Sequence, residues 1–307
     1  MMAASDTSAS QQAFYDDLVK HELILPLGVP GVFGRGPVFE DILARFNDLI
    51  SAVAAPDGAQ RLHFPPVIPR ALLEQTGVLT SFPHLAGTIF SFAGDDAQYR
   101  QLQEHLAAGQ DWSGFEKPTD VALTSAACYP VYPTCSGTLP ADGRLIDVTS
   151  YCFRHEPSGD PARLQMFRMR EHVRLGTPDM VVEWRDTWVT RGSELLRSLG
   201  LLAAAVPASD PFFGRAGRML VAFQKEQKLK FELVVPITSV ETPTAVMSFN
   251  YHQDHFASKF KILTGPDTLA HTACLGFGME RIVMALLKAH GFQVSAWPDA
   301  VRRKLWA

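Results

Sequence analysis

His271-Thr-Ala-Cys274-Leu-Gly276-Phe-Gly278-Met-Glu280-Arg281, running on into Ile282-Val-Met-Ala-Leu-Leu287, is the stretch on which the reading of this chain turns. Its first half is apolar and reads as a buried strand. Two glycines break it, and an arginine then opens an apolar helix. A second stretch stands about a hundred residues upstream. Tyr151-Cys152-Phe153-Arg154-His155-Glu156 is followed by the loop Pro157-Ser-Gly-Asp-Pro161, then by Arg163-Leu-Gln-Met-Phe167-Arg168-Met-Arg-Glu171. Read as a strand, Tyr151 to Glu156 places Cys152, Arg154 and Glu156 on one face. A cation and an anion together on one face suit a binding site better than a core.

The order of these residues resembles motifs 2 and 3 of the class II aminoacyl-tRNA synthetases. That resemblance implies an α+β fold, an antiparallel sheet flanked by helices, with an ATP site that activates a carboxylate as an adenylate. It gives Arg154 the α-phosphate and the substrate carboxylate, a bidentate task suited to guanidinium. Glu156 would take the adenine amino group, Arg163 the outer phosphates, and Phe167 one face of the base. Arg168 belongs to the same ATP set. Arg281 would stack on the other face of the base, while Gly276 and Gly278 let backbone approach the ligand. Catalysis would rest on positioning and on charge stabilisation by arginines and Mg²⁺. The segment Thr244-Ala-Val-Met-Ser248-Phe-Asn250, with Phe256 beyond it, resembles a seryl-enzyme stretch whose glutamate helps hold magnesium. Thr244 stands in place of that acid, and Glu232 and Glu241 are the nearby candidates.

The rest of the chain organises around these motifs. Apolar positions at helical spacing predict a helix over residues 36–54. An extended segment at 61–69 and a short helix at 70–75 follow, an order resembling the dimer-forming motif 1. Residues 120–156 read as strands, 178–199 as a strand running into a helix, and 229–236 and 244–250 as further strands. Mixed order of this kind argues for α+β. The Ser/Ala/Gln-rich residues 1–15 are expected to be disordered, with one catalytic domain over 16–307.

Composition narrows the partners. The 307 residues are 47% hydrophobic and carry a net charge of −4, so the chain as a whole does not attract polyphosphate. No apolar run is long enough to span a bilayer. Four unpaired cysteines, at 128, 135, 152 and 274, fit a reducing cytosol. Cys128, Glu171 and Cys274 flank the ATP motifs and make a reasonable zinc set with an open fourth position. Cys135, Cys152 and the His252/His255 pair are the rivals. Atypical methanogen seryl-tRNA synthetases and a family of bacterial homologues carry a Cys, Glu, Cys zinc triad in this order, and the resemblance implies that the open position receives the substrate's α-amino group.

Only about 35 residues precede the first predicted catalytic helix, and they lack sustained heptads. The family's tRNA-gripping coiled coil is therefore not expected here. The chain resembles the amino acid:carrier-protein ligases, truncated seryl-synthetase homologues. They load a small amino acid, typically glycine or alanine, as a thioester onto the phosphopantetheine of a carrier protein. Carrier proteins are usually acidic, so a basic dock is expected in the helix-loop near 208–230. Arg215, Arg218, Lys225, Lys228 and Lys230 are its candidates. The resemblance also implies a homodimer. A minimal tRNA-charging synthetase and a catalytically inactive regulatory paralogue are the alternatives. The second is expected to have lost Arg154, Glu156 or Arg281, and all three are present.

Overall fold

The computed structural model describes residues 2–213, 219, 221, 222, 224 and 227–306. Arg215, Arg218 and Lys225 of the expected dock lie outside the described residues. Seven of the described strands form the central sheet: β1 (Gln60–His63), β2 (Arg144–Phe153), β3 (Met166–Gly176), β4 (Ala204–Pro207), β5 (Lys230–Val235), β6 (Thr244–Gln253) and β7 (His271–Gly278). Their spatial order is β4-β5-β6-β7-β3-β2-β1. Every pairing is antiparallel except the edge pair β1–β2, which is parallel. The flanking helices are α1 (Met2–Lys20), α2 (Pro37–Ala54), α3 (Pro178–Ser198) and α4 (Met279–His290). This is the α+β arrangement the motifs imply.

Alternation along β3 shows how the sheet separates its two faces. Phe167, Met169 and Glu171 line an open cleft on one face. Arg168, Arg170 and His172 point the other way, toward the helices. On that side α2 buries Phe39, Ile42, Leu43, Phe46 and Ile50, an i, i+3/i+4 stripe that forms part of the main core with α4. Gly36 lets α2 start there, because a Cβ would lie 1.9 Å from the Glu22 carbonyl oxygen.

A buried charge lattice ties α2 to the sheet. Arg170 donates to both oxygens of Asp147 at 3.0 and 2.6 Å, and to Asn47 and Ser51 of α2. Burial disfavours the Asp147 charge, yet the Arg170 hydrogen bonds and charge hold its carboxyl below the usual range. Arg168 forks onto Glu40 of α2 at 2.6 Å for each bond, and also reaches Glu280.

Two expectations are corrected. Residues 178–199 hold no strand: the helix begins at Pro178, directly after β3, and continues to Ser198. Near the start of the chain, α1 seats Phe14 and Leu18 in the main core, one turn apart. The strand at Tyr151 ends at Phe153, so Arg154 and Glu156 leave the sheet and follow a loop. By contrast, the 36–54 helix, the extended 61–69 segment and the short helix appear as Pro37–Ala54, Gln60–His63 with Val67–Pro69, and Arg70–Thr76. Among the described residues no helix is long and apolar enough to cross a membrane.

Two stability outcomes follow from this layer. Arg170→Ala leaves Asp147 as a buried carboxylate held only by the longer 3.4 Å contact from the exposed Arg61, and is expected to cost about 3 kcal/mol, read as a lowered urea midpoint with an unchanged slope. The second concerns His172. Burial pushes it down to about 4 from 6.5, so its 3.6 Å contact with Asp147 is not an ion pair at neutral pH. An unfolded chain takes up that proton near 6.5, whereas the folded chain refuses it until about 4. Its contribution is therefore complete above 6.5 and falls by about 1.4 kcal/mol per pH unit below it. Urea midpoints at about pH 7 and about pH 5 are expected to diverge less in His172→Phe than in the parent.

Candidate active site

Strand register builds the floor of the cleft. Residues directly opposite in an antiparallel pair share a face. Glu232, Ser248, Gly276 and Glu171 stand opposite one another across β5, β6, β7 and β3. Lys230, Asn250 and Cys274 form the adjacent row. All seven line one cleft of about 480 Å³. Gly276 keeps the floor low: a Cβ there would sit 3.3 Å from Ser248 Oγ and 3.6 Å from both Glu171 Cγ and Met169 Sδ.

One end of the cleft brings guanidinium groups together with an aromatic ring. Arg154, Glu156, Phe167, Gly278 and Arg281 all line it. Arg154 donates from Nε to the Ser125 carbonyl at 3.0 Å, with its guanidinium 5.5 Å over the Phe167 ring. Arg281 is braced by the carbonyls of Ala162 at 2.8 Å and Ala245 at 3.0 Å. Burial and the neighbouring charges of Arg154 and Arg163 lower its proton affinity. Cations crowded in this way favour an anionic ligand. Arg163 stands at the exposed rim and donates to Glu156 Oε1 at 2.9 Å.

The other end gathers Cys128, Glu171 and Cys274. Their ligand atoms lie within 4.8 Å of one another, and all three residues are buried. Glu171 Oε1 accepts the backbone N–H groups of Ala127 at 2.7 Å and Cys128 at 3.2 Å, which fixes the carboxylate without neutralising it. Among the described residues no basic side chain pairs with Glu171. Burial, the adjacent Cys274 thiol and the Glu171 charge push the Cys128 thiol well above its ordinary value. Two thiols and an uncompensated carboxylate at this spacing fit zinc, which would draw both thiols into the thiolate form.

Several sequence-named residues fall elsewhere. Arg168 does not line the cleft, because its place on β3 turns it to the opposite face, onto Glu40 and Glu280. Cys135 and Cys152 are buried in the second apolar cluster. His252 and His255 do border the cleft but stand outside the three-donor set. Of the two candidate acids, Glu232 lines the cleft; Glu241 is exposed and hydrogen-bonded to Ser239. Thr244 opens β6 and is not among the cleft-lining residues. Ser248, Asn250 and Phe256 border it.

Lys230 requires a different correction. It is buried rather than part of a basic surface, and its Nζ bridges Asp210 Oδ1 at 2.6 Å and Glu232 Oε1 at 3.1 Å. Burial opposes both charges, but mutual attraction holds Asp210 below and Lys230 above their ordinary ranges. Asp210 also borders the cleft, a place that sequence reasoning missed. The signal available was the Lys230/Glu232 spacing, which puts both on one face of a strand.

Together, the sheet and the two-ended cleft define a catalytic core of the class II aminoacyl-tRNA synthetase type. Solved structures share its fold: seryl-tRNA synthetase of Methanopyrus kandleri with tRNA at a TM-score of 0.81, 20% identity and coverage of 95% of this chain and 60% of that one, and the Pyrococcus horikoshii seryl enzyme complexed with ATP at 0.69, 13%, 96% and 62%. Sequence relatives are more specific. Amino acid--[acyl-carrier-protein] ligase 1 of Bradyrhizobium diazoefficiens is 44% identical over 97% of this chain and 92% of its own length. Ligase 2 of the same organism is 44% identical over 93% and 85%. The type-2 serine--tRNA ligase of Methanopyrus kandleri is 26% identical over 60% of this chain and 37% of its own length. No protein-family model matches the chain. The chain belongs to the amino acid--[acyl-carrier-protein] ligase family, and it is a ligase.

Lys230→Met would leave Asp210 and Glu232 as neighbouring unpaired carboxylates. The expected cost is about 3 kcal/mol, read as a lowered melting temperature, with amino-acid-dependent pyrophosphate exchange also reduced.

Proposed function

We propose that this protein activates a small amino acid, glycine or alanine, with ATP and passes it to the phosphopantetheine thiol of a carrier protein. The observation that supports this most is the single cleft, with guanidiniums and an aromatic ring at one end and a Cys–Glu–Cys set at the other. A small aminoacyl-adenylate has the same polarity: a base and phosphate at one end, an α-amino group at the other.

In the first step a carboxylate oxygen of the amino acid attacks the α-phosphorus of ATP, and the bond to the β-phosphate breaks. Pyrophosphate leaves. Arg154 orients carboxylate and α-phosphate, while Arg281 and Arg163 balance phosphate charge. Arg163 first exchanges Glu156 for the ligand, which frees Glu156 for the adenine amino group. Phe167 and the Arg281 guanidinium sandwich the base. The attacking carboxylate is already ionised, so this step needs no general base. Mg²⁺ would accompany ATP, with Glu232 the best-placed carboxylate for it. In the second step the carrier's thiol gives its proton to solvent, and the thiolate sulfur attacks the carbonyl carbon. The acyl–phosphate C–O bond breaks and AMP leaves with the electron pair.

Cys128, Glu171 and Cys274 would hold zinc, and a metal held by these three residues would supply a Lewis acid for the α-amino group and so favour amines over other carboxylic acids. That set does not discriminate among small side chains. We also propose that the protein acts as a homodimer in the cytosol, and that Arg215 and Arg218 attract an acidic carrier.

The test is acceptor choice. The protein is incubated with ATP, zinc, magnesium and labelled glycine or alanine, then offered total tRNA and phosphopantetheinylated carrier separately. Label on the carrier, released by hydroxylamine, is the expected result; label on tRNA overturns the assignment. In the doubly reversed Arg215→Glu/Arg218→Glu protein, transfer is expected to fall by about tenfold or more while pyrophosphate exchange persists. Equal loss in both steps overturns the docking assignment.

A further inference from the structure

The two cysteines of the proposed metal set have different surroundings. Asn250 stands directly opposite Cys274 across β6 and β7, and its Nδ2 donates to Cys274 Sγ at 3.5 Å. Farther along β6, His252 places Nε2 3.6 Å from the same sulfur. The pairing of β6 with β7 slips here: Tyr251 faces Ala273 and Gln253 faces Thr272, leaving His252 as the extra residue of a bulge. A bulge re-aims a side chain, and this one aims an imidazole at a thiol. The other ring nitrogen, Nδ1, lies 3.1 Å from Thr272 Oγ1. The ring is held edge-on by Tyr132 and Phe256, at centroid distances of 6.3 and 4.9 Å. No nitrogen donor of this kind reaches Cys128 Sγ among the described residues.

We infer that Asn250 and His252 are positioning residues for a metal-bound Cys274 thiolate, their N–H groups drawing charge from its sulfur and fixing its direction. The inference rests on the metal reading of Cys128, Glu171 and Cys274. Two thiolates and a carboxylate give a dication more negative charge than it carries, which weakens its attraction for a neutral amine. Hydrogen bonds to one sulfur reduce that donation and keep the fourth position acidic enough to hold the substrate's amino group. This role assigns His252 the tautomer in which Nδ1 accepts from the Thr272 hydroxyl and the Nε2 proton faces Cys274. A ligand's outer hydrogen bonds are commonly worth 10–100-fold in metal affinity or activity.

The test uses cobalt in place of zinc, because its sulfur-to-metal charge-transfer band reports on the thiolate directly. Parent, His252→Leu, Asn250→Leu and His252→Gln are loaded with Co²⁺, and metal content is measured beside the spectrum. Both leucine variants are expected to move the band to longer wavelength. They are also expected to raise the KM for glycine in pyrophosphate exchange by about tenfold or more. His252→Gln, which keeps an N–H near the Nε2 position, is expected to stay close to the parent in both. Unchanged bands and chelator-competition affinities in loaded leucine variants overturn the inference while leaving the metal site standing. A parent that takes up no cobalt or zinc overturns the metal reading and the inference together. Should a leucine variant fail to fold, His252→Gln against His252→Asn carries the same comparison, since asparagine is too short to reach the sulfur.

Discussion

The antiparallel register of β3 against β7 is the constraint on which the rest of this molecule depends. It sets Gly276 opposite Glu171 and Cys274 opposite Val173, and β6 then adds Ser248 and Asn250 to the same two rows. A slip of one residue would turn Glu171 into the helix layer and bring Arg170 or His172 into the cleft. The fold resists that slip from both sides. On the cleft face Gly276 leaves room for Glu171; on the other, Arg170 is fastened to Asp147, Asn47 and Ser51. The catalytic floor and the anchor of α2 are consecutive residues of one strand.

Arginine does two kinds of work here, and only surroundings distinguish them. Arg168 and Arg170 are saturated by carboxylates and carbonyls, so they fix helices to the sheet and have little left to offer a ligand. Arg154 and Arg281 are braced by backbone carbonyls alone, which orient the guanidinium without neutralising it. A neutral brace leaves the positive charge available in the cleft. Glu171 is the anionic counterpart, oriented by two backbone N–H groups with no cation paired to it among the described residues. Charge held by the main chain rather than by a counter-ion therefore recurs along the cleft, positive at Arg154 and Arg281 and negative at Glu171.

The legibility of the sequence followed the range of the interactions involved. Helix α2 was readable because its apolar stripe repeats within five turns. The α+β class and the cleft residues Arg154, Glu156, Phe167, Arg281, Cys128, Glu171 and Cys274 were readable because their order along the chain carries the signal. Alternation beyond Phe153 misled, since the loop at 154–165 takes its hydrogen bonds from Leu85, Gln165 and Gly31 rather than from a neighbouring strand. Phe14 and Leu18 pack into a core assembled from α2, α4 and the helix Asp299–Leu305, partners that no local pattern in the sequence could name.

What the sequence determined by itself was the inventory: which charged, thiol and aromatic groups are available, and which of them share a face once a segment is a strand. What only the tertiary structure decided was their partners. Arg168 meets Glu40 and Glu280, which are 128 and 112 residues away, and so leaves the ligand set. Lys230 meets Asp210 across a 20-residue excursion and so leaves the basic surface. Local sequence fixes a side chain's direction through backbone periodicity. The charge it keeps depends on groups that arrive from distant segments, and those are set by strand register and packing.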